Sequence, residues 1–413
     1  MLVPLLHPLR DVIHVTDDVQ ALVKNEVVML RTRFAVLLWL IAWIATGLLA
    51  QDASKREAPL VLTGAIPLGN VQGRIDHFGV DRSGRVFVSA LGNNTVEVLD
   101  LSAQRDAHSI TGVPNPQGVV YSPETNKLFV ASSKGKLYIY DGTSFALQDA
   151  IDFRVDADNL RYDSNSRQVY LSYGEDETGA IAVIDATTNK QVDDFKVGAH
   201  PESFQLEVGG PRVFVNLPDT KQIAVINRKT REVTKWPMTL GGNFPMALDE
   251  TDHRVFVATR SPARLVVFDT DSGHQLAALP SVQDADDLYY EAERKRVYVS
   301  GGEGYISVFQ QRDSDHYELI ARVSTAVSAR TAGYFGRTGK KGFDRLYLAV
   351  PSRGGRKAEV QNLYCSRLRK RSAPIRRSYA PPSTHGPRPL CAIKCHRPAP
   401  NSAVLAIAKL TRA

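Results

Sequence analysis

A chain of 413 residues exceeds one ordinary compact domain, but a repeat architecture can absorb it as a single unit. Its 43% hydrophobic and 23% charged residues exclude a disordered chain and support a sizeable core. The formal net charge of +7 is unevenly spread: 11 of the 51 Lys and Arg fall in 361–413, which holds no Asp or Glu, leaving 40 basic against 44 acidic residues in 1–360. A mildly acidic body argues against nucleic-acid binding through a basic groove.

In chain order, residues 1–28 precede a second Met and read as a gene-model extension. Met29-Leu30-Arg31-Thr32-Arg33, the apolar run Phe34 to Leu49 and the small residue Ala50 have the layout of a secretory signal peptide over 29–50. The run is short for a membrane span, so no stable span is expected after cleavage, and the mature chain is expected in the periplasm or outside the cell. The cysteines agree: all three (Cys365, Cys391 and Cys395) lie beyond residue 360. A thiol-free body suits an oxidising compartment and excludes cysteine nucleophiles, thiolate zinc sites and covalently attached haem there.

Pro59 to Leu68 has strand character. A short signal, polar then apolar-aromatic-apolar, then recurs: Arg85-Val86-Phe87-Val88, Lys127-Leu128-Phe129-Val130, Gln168-Val169-Tyr170-Leu171, Arg212-Val213-Phe214-Val215, Arg254-Val255-Phe256-Val257, Arg296-Val297-Tyr298-Val299 and Arg345-Leu346-Tyr347-Leu348. The aromatics stand about 42 residues apart, the period of a four-stranded propeller blade. Each of the first six signals is followed by a turn and a second apolar strand, such as Thr95 to Asp100 or Ile181 to Asp185. Seven signals predict an all-β, seven-bladed β-propeller over 51–360. The seventh blade lacks an outermost strand of its own, so the segment 59–68 is expected to supply it and close the ring.

Val88 to Asp100, a strand, an Asn-bearing turn and Thr95-Val96-Glu97-Val98-Leu99-Asp100, resembles the YVTN repeat of YncE-like bacterial β-propellers, over about residues 59–360. The resemblance implies an exported propeller and says little about chemistry. After Val360 the pattern gives way to acid-free, Arg- and Pro-rich sequence, read as a disordered basic tail or an out-of-frame translation over 361–413.

In a propeller the innermost strands line the central channel. Aligning those strands by their apolar-then-acidic ends gives one column: Asp76, Gln117, Asp158, Glu202, Phe244 and Asp286, with Thr331 in blade seven. Two positions earlier, on the same face by strand alternation, stand Arg74, Asn115, Asp156, His200, Gly242 and Asp284. His77, Asn159, Asp287 and Arg330 adjoin them. The residues expected to bind are Arg74, Asp76, His77, Asp158, Asn159, His200, Glu202, Asp286, Asp287 and Arg330. Converging carboxylates and imidazoles suit a divalent cation or a cationic ligand, although polar groups also simply solvate a wet channel. His108, His253, His274 and His316 are expected at the surface, and Gly301-Gly302-Glu303-Gly304 is a hairpin turn.

The functional expectation is a monomeric binding or scaffold propeller whose acidic mouth takes a small ligand, a cation or a protein. The competing expectation is a metal-dependent enzyme of lyase or lactonase type with an axial carboxylate and histidine site. A self-contained electron-transfer subunit is disfavoured by the thiol-free body.

Overall fold

The computed structural model describes residues 58–336 and 344–366. The segments expected to be the extension and signal (1–28 and 29–50) and most of the expected tail lie outside the described residues. Those described form seven four-stranded antiparallel sheets, a seven-bladed β-propeller. Blade three is typical, with strands Ala157–Asp163, Gln168–Tyr173, Ala180–Asp185 and Lys190–Lys196 in order from the axis outward.

The repeat signal is the second strand of each blade, and its alternation explains why sheets stack. Val86 and Val88 face one way, into a cluster shared with Ile66, Tyr347 and Val360 of blade seven. Phe87 faces the other way and packs with Leu128, Val130 and Tyr140 of blade two. The same division recurs in blade two, where Phe129 packs with Leu160, Val169 and Leu171 of blade three. The seven repeat aromatics Phe87, Phe129, Tyr170, Phe214, Phe256, Tyr298 and Tyr347 are all buried. Each is a plug between neighbouring blades, so both faces of a sheet are hidden and near-continuous apolar runs result.

Acidic residues at the ends of the third strands set the outer turns. Oδ1 of Asp141 accepts the backbone N–H groups of Thr143 and Ser144 at 3.0 and 2.8 Å. Asp100, Asp185 and Asp269 do the same at equivalent positions. These are local side-chain-to-backbone turns of the kind Asp favours. His108, His253, His274 and His316 are exposed, as expected.

The ring closes through the N-terminal strand. Leu60–Pro67 pairs antiparallel with Glu359–Cys365 and becomes the outermost strand of blade seven, beside Arg345–Val350 and Ala332–Phe335. The closing register places Leu60 opposite Cys365 and Pro67 opposite Glu359. The boundary expected at 360 therefore falls inside a strand and is corrected: the sheet runs on through Cys365. Leu363, Cys365 and Ser366 are buried, and Ser366 N–H bonds to Pro59 carbonyl at 3.0 Å. The second half of a seven-residue strand does not show in the composition of the long acid-free stretch that begins inside it.

Candidate functional site at the channel mouth

A recurrent backbone irregularity builds the mouth. In blade three, Ala157 pairs with Tyr173 and Leu160 with Leu171, so Asp158 and Asn159 together oppose Ser172. The same register shift occurs between Pro116 and Val119 in blade two, between Asn243 and Met246 in blade five and between Ala285 and Asp287 in blade six. An extra residue in a strand bends it and re-aims its side chains. Here it turns Gln117, Asp158, Phe244 and Asp286 into a common cavity of about 230 Å³.

Nine of the ten expected residues line that cavity: Arg74, Asp76, His77, Asp158, Asn159, His200, Glu202, Asp286 and Arg330. Asp287 does not. Its blade has the extra residue at 286, so Asp287 points towards blade seven, where Oδ2 accepts Ala332 N–H at 2.7 Å. It acts from beneath the cavity, with Oδ1 3.9 Å from His77 Nδ1. Asp156 also lines the space, whereas Asn115, Gly242 and Asp284 of the same column do not.

Reading only the innermost strands misses Arg260, and Ser203, next to Glu202 in blade four, also lines the cavity. Arg260 comes from the second strand of blade five, Arg254–Ser261, which has eight residues where most of its counterparts have six. That added length lifts Arg260 to the mouth. Its guanidinium carbon lies 3.6 Å from the centroid of the Phe244 ring, and it bonds Asp286 Oδ1 and, through Nε, Ala285 carbonyl. Sequence spacing carries no signal for it: Arg254 and Asp269 pair at the same separation as Arg85 and Asp100, and the strand reaches further only because the Ser261-Pro262 turn is tighter. A buried layer follows below: Arg161 stacks on Phe204 and donates to Ser203 Oγ at 3.2 Å.

The mouth has two electrical sides. On blades five to seven and one, Arg260 and Arg330 both hold Asp286, Arg330 also bonds Asp284 at 2.7 Å, and Arg74 bonds Asp76 at 3.0 Å. Burial disfavours the Arg330 cation, but Asp286 and Asp284 outweigh it, and its pKa is raised. On blades three and four, Asp156, Asp158 and Glu202 gather around His200 with no arginine bonded to them among the described residues. Burial, reinforced by Asp158, pushes Asp156 up to about 6. Burial also raises Glu202.

One imidazole, His77, joins the halves, and the other, His200, sits within the acidic one. His77 Nε2 lies 3.6 Å from Asp158 Oδ1 and 3.8 Å from Asp76 Oδ1. Burial opposes its charge, but Asp76, Asp158 and Asp287 outweigh it and carry the ring up to about 10. Burial likewise opposes ionisation of Asp158, yet His77 holds that carboxyl below its ordinary value. His200 is raised to about 9, chiefly by Glu202, whose Oε1 is 3.5 Å from Nε2. Its Nδ1 is 2.8 Å from Gly174 carbonyl, a contact in which the ring nitrogen donates.

The fold and this mouth define the chain as a seven-bladed β-propeller with a charged axial cavity. Comparison with known proteins agrees on the fold: the crystal structure of RRP9 WD40 repeats superposes with a TM-score of 0.59, covering 75% of this chain and 99% of that one. The two are 10% identical in sequence, so the likeness shows architecture alone. No family model matches the chain. No curated protein matches it either.

Proposed function

We propose that this chain is an exported binding propeller, of the YVTN kind its repeat resembles, that holds a small dipolar ligand in the channel mouth. The observation that supports this best is the division of the cavity. A wall in which Arg74, Arg260 and Arg330 outnumber the lining carboxylates paired with them, Asp76 and Asp286, faces a wall of Asp156, Asp158 and Glu202 that no arginine neutralises among the described residues, across about 230 Å³. That is space for a molecule of amino-acid or small organic-acid size, with its anionic end on the planar guanidinium forks and its cationic end on the acids. Propellers commonly present their mouths as binding surfaces, and lining residues carried on the inner strands of a closed ring keep such a site preorganised. The enzymatic reading shares the site but needs a group to carry the chemistry, and a cation on the acidic wall would be the means.

The test is a thermal-unfolding screen of the purified chain with small amino acids, organic acids and amines, in EDTA so that adventitious metal plays no part. A compound at about 100 times its Kd adds roughly 2.7 kcal/mol to stability, a rise of several degrees in midpoint. Such a rise, lost in Arg260→Gln, supports the reading. No stabilising compound, or stabilisation that survives Arg260→Gln and Arg330→Gln alike, contradicts it.

A further inference from the structure

We propose that Asp158, His200 and Glu202 form a binding site for a divalent transition-metal cation of the zinc class. The inference rests on the reading of the mouth as a ligand site; a bound ion would take the place of the ligand's cationic end on the acidic wall.

One ligand atom from each residue lies within 4.8 Å of the other two. His200 Nε2 and Glu202 Oε1, 3.5 Å apart, already match the separation of about 3.3 Å between two ligands of a tetrahedral ion with bonds near 2.0–2.1 Å. The residues come from the inner-strand region of adjacent blades, so little backbone movement is needed for the third ligand to close.

The surroundings are what metal ligands require, and they come from outside the ligand set. Gly174 carbonyl accepts the Nδ1 proton of His200 at 2.8 Å, which fixes the ring and directs Nε2 into the cavity. A backbone carbonyl on the remote nitrogen is the usual orienting partner of a ligating histidine. Asn159 Nδ2 donates to Asp158 Oδ2 at 2.9 Å, leaving Oδ1 for the cavity. His77 stands 3.6 Å from that oxygen as its cationic partner in the metal-free site, a place the metal would take over. Side-chain exposures of 10, 20 and 21% for Asp158, His200 and Glu202 keep the site partly dry and open on the cavity side. Open positions there would be filled by water or by the ligand itself.

The donor set selects the ion. One imidazole and two carboxylates suit Zn²⁺, Co²⁺ or Mn²⁺, whereas Ca²⁺ takes six to eight oxygens and Mg²⁺ keeps most of its water.

The test is titration of the EDTA-stripped, dialysed full chain with Zn²⁺ by calorimetry, and with Co²⁺ by visible absorption, at about pH 8. The expected result is one equivalent bound, weakened about 100-fold or more in His200→Gln and in Glu202→Gln, and changed less than about threefold in His274→Gln, an exposed histidine at an outer turn. No stoichiometric uptake, or an affinity in the two ligand variants unchanged from that of the natural chain, overturns the proposal. If those variants do not fold, X-ray absorption of the Co²⁺-loaded natural chain decides. A shell containing imidazole nitrogen supports the site, and an all-oxygen shell overturns it. Failure here leaves the ligand reading standing, because its own screen is run in EDTA.

Discussion

His77 sits among three carboxylates, Asp158, Asp76 and Asp287, at 3.6, 3.8 and 3.9 Å, with about a fifth of its side chain exposed. Its pKa is carried from 6.5 to about 10, so the folded state binds its proton more tightly than the unfolded chain does. The resulting stabilisation is fully present below about pH 6.5 and is lost as pH rises towards 10. Asp287, pushed by burial to about 7, acts in the same direction over a lower window, between about pH 4 and 7. In EDTA, the unfolding midpoint should therefore fall between pH 7 and 10, and His77→Gln should flatten that slope. An imidazole that NMR shows to lose its proton near pH 6.5 would contradict this. The column of channel residues was legible because the repeat supplies an internal alignment: Asp76, Asp158, Glu202 and Asp286 fall at one position in four blades. Arg260 was not, because it belongs to a different strand, and Asp287 was misplaced because one extra residue in a strand reverses the side on which its neighbour lies.

At the scale of the element, the bulge links packing to site geometry. Gly118 occupies the bulge of blade two, where an added Cβ would come 2.2 Å from Asp158 carbonyl and 2.9 Å from Leu160 nitrogen. No side chain fits without moving the strand that carries Asp158. Gly118→Ala should cost about 1–3 kcal/mol, the usual range for forcing atoms into a packed interior. It should also weaken Zn²⁺ uptake while leaving the far wall intact. Denaturant unfolding checks the first effect and calorimetry the second. The interblade plugs provide the contrasting case, stability without a direct part in the site. Phe129→Ala leaves a void between blades two and three and should cost about 3–5 kcal/mol. Substituting Ala for Val192, exposed on an outer strand, should stay within about 0.5 kcal/mol. These strands were readable in sequence because the aromatic and its two flanking apolar residues serve opposite faces, and both faces are buried.

For the whole molecule, what matters is that the ring is shut. Leu60 and Ile66 of the closing strand are buried in the two clusters that flank blade seven. Ile66→Asn would place an amide in an apolar cluster at a cost of several kcal/mol. Because blades seven and one carry Arg330, Arg74, Asp76 and His77, opening the ring there should degrade binding along with stability. A variant that melts early yet binds normally at low temperature would separate the two and contradict that link. Seven blades were legible from spacing, and closure by the first strand from the strand character of 59–68 beside a seventh blade one strand short. The end of the last sheet was not, because Gln361 to Ser366 shares the acid-free composition of the residues after it, while its burial depends on partners some 300 residues away. The most direct test of the central claim is a crystal structure of the chain grown with a compound selected by the stability screen. Density between the arginine and carboxylate walls, in contact with Arg260 or Arg330, is the predicted result. The same compound seated on an outer strand or a blade face, with the mouth holding only solvent, would contradict the account.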